Sequence, residues 1–261
     1  MIQWPWRRAH QRPCLIIMPA VRSVSMIAIV NKSTLTTSAD LAVWSRACAL
    51  QVRYHLAPAY DASPRPVVFF EHESMAPPGS WPVYVLDDPD VAQALGYHDV
   101  DPQGRPYGRV FARPTLAAGV SLSSVLSHEV CEAAVDPDVN LWGLDARHGR
   151  LHAWEACDAV ENDSYVVKVT GNPAQGGTHR VEVSNFVTPA WYNAADAGGR
   201  YDHLGVLTSP FQLSKGGYTI VAAIGRESQV FGTEVLGERY AWRAAVKAAS
   251  GSRSLRRAGK L

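Results

Sequence analysis

Residues 121–137 read Ser-Leu-Ser-Ser-Val-Leu-Ser-His-Glu-Val-Cys-Glu-Ala-Ala-Val-Asp-Pro, and no other stretch limits the fold as much. The pattern predicts a helix starting at Gly119 or Ser121 and running to Val135. It stops at Asp136-Pro137 because the residue before a proline disfavours the helical region. Residues four apart on a helix stand one turn above each other, offset by about 40° around the axis. His128 and Glu132 therefore project into the same space, where an imidazole and a carboxylate can hold one divalent metal. Glu129 lies beside that face, where a carboxylate can take a proton from a water that the metal activates.

A chain of 261 residues, 47% hydrophobic and 19% charged, can bury one large core or two modest ones. No apolar run approaches the roughly eighteen residues of a membrane span, so no membrane partner is expected. The formal net charge of +1 conceals an asymmetry. Residues 1–25 carry Arg7, Arg8, Arg12 and Arg22 and no acid, and residues 239–261 carry seven Lys or Arg and no acid. The stretch between them has a net charge of −10. A nucleic-acid-binding domain would show a basic face within the fold, so no nucleic-acid partner is expected. The tail at 250–261 reads as a solvated, disordered end.

Residues 1–25 lack the longer, proline-free apolar stretch of a secretory signal. Met26 opens an apolar strand, and the expectation is that it is the true start, residues 1–25 being a translated upstream sequence or a disordered leader. Cys14, Cys48, Cys131 and Cys157 show no close-spaced framework, which points to a reduced, cytoplasmic protein. Cys131 and Cys157 flank the proposed ligands and are read as small buried thiols rather than a disulfide.

Alternation and turn residues give an order of elements. Residues 26–30 are a strand, and apolar spacing from Ser38 to about Tyr54 predicts a helix. Residues 66–70 and 81–86 are strands, the second ended by Asp87-Asp-Pro-Asp90. Residues 99–104 are a turn leading into a strand at 107–112, after which comes the motif helix. Beyond Val160 the chain looks β-rich, with a hairpin of strands 165–169 and 179–183 and another strand at 218–224.

The run Ser-His-Glu-Val-Cys-Glu-Ala-Ala-Val-Asp-Pro, followed by Trp154-Glu-Ala-Cys-Asp158 and by residues 183–191, resembles zincin-like proteins of bacteria and phages. Their pattern is Ser-His-Glu-x-x-Glu-x-x-x-Asp-Pro with a later Glu-x-x-Asp. The likeness covers roughly residues 26–221. It implies an α+β fold in which a twisted sheet with one backing helix lies over an active-site helix, followed by a β-rich C-terminal part. The domain would span 26–238, divided into subdomains 26–137 and 138–238. The strand before the motif helix, 107–112, would form the upper edge of the cleft and pair with an extended peptide.

The motif is the His-Glu-x-x-His zinc peptidase helix with its second His replaced by Glu. A third ligand is needed. Asp136 lies about 12 Å from His128 along a continuous helix axis, too far to share an ion held at about 2 Å. Glu155 lies 23 residues after Glu132, and Asp158 follows it. One of the two ligates and the other orients, with Glu155 ranked first. The competing reading is a solvated acidic loop, since Glu161 and Asp163 lie close by. Trp154 and Cys157 favour burial.

All four Met residues precede the motif, so no Met-containing turn underlies the ion. A His and two carboxylates leave a dication neutral overall, a weaker Lewis acid than with two His. The same donor set admits Mn or Fe beside Zn. Tyr192, Tyr201, His203 and Tyr218 are candidates for donating a hydrogen bond to an oxyanion, although a structural role is the commoner one for such groups. Cys131 with His128 makes a poor nucleophile pair, since side chains three apart splay by about 60°. Two readings survive. One is a metal-dependent peptidase acting on a peptide or protein substrate, with Glu129 as base. The other is a non-catalytic zincin-like structural or binding protein, of phage or mobile-element type.

Overall fold

The computed structural model describes residues 25–91, 94–170, 176–193, 195, 198–223 and 226–232. The expected leader (but for Ser25) and basic tail lie outside the described residues, as does Cys14. The chain enters on β1 (Ile27–Asn31) and turns into α1 (Ser38–Gln51). Thr37 caps α1 reciprocally with Asp40: each side chain accepts from the other's backbone N–H. The helix runs further than the sequence indicated, through one wide turn at Val52–Leu56 into α2 (Ala57–Ala59).

Four strands and two helices follow: β2 (Val67–Phe70), β3 (Trp81–Leu86), β4 (Gly96–Val100), β5 (Pro106–Phe111), α3 (Ala112–Ala117) and the motif helix α4 (Leu122–Val135). The strands form one sheet in the order β2-β1-β3-β5-β4, parallel except for β4, which runs antiparallel to β5. The strand before the motif helix is therefore not the edge. The edge on that side is β4, in which Gly96 and Asp99 have weak strand preference. The expected turn follows it, with the Asp101 carboxylate accepting from the backbone N–H groups of Gln103 and Arg105.

Pairing registers set what this edge presents. Ile29, Val83, Gly108 and His98 are successive partners across the sheet, so they lie on one face. Gly96, two residues before His98, shares it. That face packs on α1 and α4 in a core of Ile27, Ile29, Leu41, Val83, Val85, Val110, Leu126 and Val130.

The rest of the described chain is β-rich: β6 (Trp142–Asp145), β7 (Arg150–Ala153), β8 (Ser164–Thr170), β9 (Thr178–Ser184), β10 (Tyr218–Ala223) and β11 (Arg226–Phe231). β11-β10-β7-β6 make a second sheet and β8-β9 the expected hairpin. The protein is thus mixed α+β, with several sheets and few helices. No described helix is long and apolar enough to cross a membrane.

The hairpin packs Val167, Val169, Val181 and Val183 on Val43 and Ala47 of α1. It is also fastened to α4. Ser123 Oγ donates to the Glu182 carbonyl at 2.7 Å, and Ser127 Oγ accepts from the Ser184 N–H at 2.7 Å. The motif helix is therefore sandwiched between sheet and hairpin, which accounts for burial around nearly all of its surface. The Ser of the Ser-His-Glu run is a fastener. Ser127→Ala leaves the Ser184 N–H buried without its acceptor and should cost about 1–3 kcal/mol in denaturant unfolding. An unchanged midpoint would contradict that role.

His152 on β7 is enclosed by Trp191 and Phe211. Burial lowers its pKa to about 4, with Arg150 acting in the same direction and Asp145 opposing. The folded state therefore holds His152 neutral where an unfolded histidine would take a proton. Its contribution to stability is present above pH 6.5 and is lost as pH falls from 6.5 toward about 4. Urea unfolding at about pH 7 and about pH 5 should show a smaller acid loss in His152→Leu than in the parent.

Candidate metal centre

Three separate pieces of chain build the centre. The first is α4, capped by Ser121, whose hydroxyl accepts from the Ser124 N–H at 3.4 Å. Its helical spacing sets His128 Nε2 3.2 Å from Glu132 Oε1. The helix ends as the sequence indicated. The Asp136 carboxylate accepts from the N–H groups of Asn140 and Leu141, each at 3.0 Å, and so closes the following turn.

The second piece is the loop at 154–158. Trp154 N–H donates to the Leu141 carbonyl, and the Ala156 carbonyl accepts from Val187 N–H. The Trp154 ring stacks on Tyr192 with centroids 3.8 Å apart. The loop is also tied to the helix, since Cys157 N–H donates to Glu132 Oε1 at 3.2 Å. Asp158 Oδ1 consequently lies 3.2 Å from His128 Nε2 and accepts a hydrogen bond from the Tyr218 hydroxyl on β10.

The third piece is β4, which the sequence reading missed. His98 points from it into the same space, with Nδ1 3.3 Å from Glu132 Oε2 and 3.9 Å from Glu129 Oε2, and Nε2 3.6 Å from Glu155 Oε2. Gly96 makes this approach possible, because a Cβ there would lie 2.6 Å from Glu129 Oε1. The alternation Gly96, His98, Val100 was the available signal, but the Asp-rich turn after it masked the strand.

All four predicted acids and His128 are therefore buried together, none more than 8% exposed. The solvated-loop reading does not describe Glu155 or Asp158. The structure groups His128, Glu132 and Asp158 as one set of potential ligands, and His98, Glu129 and Glu132 as another. Within each set one donor atom per residue lies within 4.8 Å of the others. Glu155 stands against His98 instead of His128. Ligands held at about 2.0–2.1 Å around a tetrahedral ion sit roughly 3.4 Å apart, so the 3.2 Å separations on His128 fit a divalent cation.

Electrostatics support that fit. Burial alone would lower the His98 pKa, but Glu155, Glu132 and Glu129 together hold it up to about 9. Burial likewise works against charge on His128, and Glu132 and Asp158 outweigh it, raising the pKa well above the usual value. Glu132 is lowered well below the carboxylate range because His128 and His98 overcome its desolvation. The carboxylates thus favour a positive charge on both imidazoles.

Tyr218 serves Asp158, the Tyr201 hydroxyl accepts from Gly198 N–H, and His203 lies stacked on Phe186 and His55. Tyr192 covers Trp154 beside the loop. Cys48, Cys131 and Cys157 are buried free thiols. Burial and the neighbouring Cys131 raise the Cys157 pKa well above that of an ordinary thiol, which leaves a poor nucleophile. Comparison of the chain with known protein families, curated proteins and solved structures returned no match.

Two substitutions test this geometry. Asp136→Ala should retain any ion bound in the parent while losing about 1–3 kcal/mol of stability, because it strips the acceptor from two turn N–H groups. Loss of the ion instead would make Asp136 a ligand. Gly96→Ala should push the Glu129 carboxylate aside and leave the ion on His128, Glu132 and Asp158, as read by metal content after dialysis.

Proposed function

We propose that this chain is a metal-dependent peptidase of zincin-like architecture, with His128, Glu132 and Asp158 holding a divalent cation and Glu129 as the general base. The observation that carries the proposal is the position of Glu129, whose carboxylate lies within 4.8 Å of that of Glu132. The sheet order, the backing helix α1 and the motif helix beneath an antiparallel edge strand support the architecture. A bound ion supplies Lewis acidity and lowers the pKa of water. The chain's own part is then to hold that ion, to accept a proton at Glu129, and to offer the edge of β4 to an extended peptide.

Zn is the first candidate, with Mn or Fe admitted by the two carboxylates. Those carboxylates also neutralise the dication, which favours slow hydrolysis and an alkaline optimum. The near-complete burial of the cluster favours the second reading, a structural ion in a binding protein of phage or mobile-element type.

A peptide library incubated with metal-loaded protein separates them. Cleavage should require the ion and fall at least about 100-fold in Glu129→Gln with the fold and the ion on His128, Glu132 and Asp158 retained, in line with the usual contribution of general base catalysis. Absence of cleavage with Zn, Mn and Fe at neutral and alkaline pH would decide for the structural reading.

A further inference from the structure

Glu132 faces two ways. Its Oε1 lies with His128, and its Oε2 lies with His98. It is the one residue common to both potential ligand sets. The six side chains bring four carboxyl groups and two imidazoles into one buried space, and buried carboxyl groups are commonly paired or coordinate a metal.

The orientation of His98 is the second observation. The side chain is 4% exposed, and Nε2 is buried without a hydrogen-bond partner among the described residues. Its Nδ1 faces Glu132 and Glu129, while Nε2 faces the Glu155 carboxylate at 3.6 Å. A metal-bound imidazole turns one nitrogen toward the ion and donates its other N–H to a carboxylate, and Glu155 is the carboxylate placed to take that N–H once the 3.6 Å gap closes.

We infer that the centre takes two divalent cations, the second held by His98 Nδ1, Glu129 and Glu132, with Glu132 bridging the pair and Glu155 orienting His98. The inference rests on the proposed function for the first ion. It gives Glu129 two roles, base when one ion is bound and ligand when both are. Two ions sharing a carboxylate lie on the order of 4 Å apart, close enough to act on one substrate oxygen.

The test uses the full chain, stripped with a chelator and dialysed against Mn(II), with metal content and electron paramagnetic resonance as readouts. The parent should hold two ions per chain and give the spectrum of a spin-coupled pair. His98→Ala and the more conservative His98→Asn should hold one, with the spectrum of an isolated ion. Glu155→Gln should weaken the second ion about 10–100-fold and spare the first. A parent that holds one ion, kept in both His98 variants and lost in His128→Ala, would overturn the second site and leave the proposed function standing. A parent that holds none would overturn both.

Discussion

Four carboxyl groups and two imidazoles are buried together around one turn of α4, and much of the described structure bears on how they are held. Glu132 is at their centre. It meets His128 through one oxygen and His98 through the other, and it accepts the Cys157 N–H. Desolvation works against every charge in the cluster, and the opposing shifts of His98, His128 and Glu132 show that mutual attraction prevails.

The scaffold makes the arrangement rigid. Sheet and hairpin clamp α4 from opposite sides through an apolar interface and the Ser123 and Ser127 hydroxyls. The Asp136 turn ends the helix and sends the chain toward β6 and β7, from which the 154–158 loop returns. Glycine admits two close approaches within this layer: Gly96 beneath Glu129, and Gly108 beside Val83. A larger residue at Gly96 would drive the edge strand away from the helix or displace Glu129.

Much of this was legible in the sequence because local chemistry determined it. The helix at 122–135 follows from its apolar spacing, its Ser121 cap and the Asp136-Pro137 stop, and the i, i+4 rule placed His128 beside Glu132. The hairpin followed from alternation. What was not legible depended on tertiary pairing. β4 has weak local preference and exists because β5 offers it a partner, so His98 stayed hidden. β6 and β7, four residues each, were missed for the same reason, as was β11, which pairs with β10. Sequence distance could not separate Glu155 from Asp158, since their roles depend on which way a buried loop turns. In the structure Asp158 faces His128 and Glu155 faces His98.

The most direct measurement is anomalous X-ray diffraction at the metal absorption edge from crystals of the chelator-stripped, Zn-reloaded protein. The account requires an anomalous peak bonded to His128 Nε2, Glu132 Oε1 and Asp158 Oδ1 at about 2.0–2.2 Å. A map without that peak at full zinc, with the His128 imidazole still hydrogen-bonded directly to Glu132 and Asp158, would contradict it.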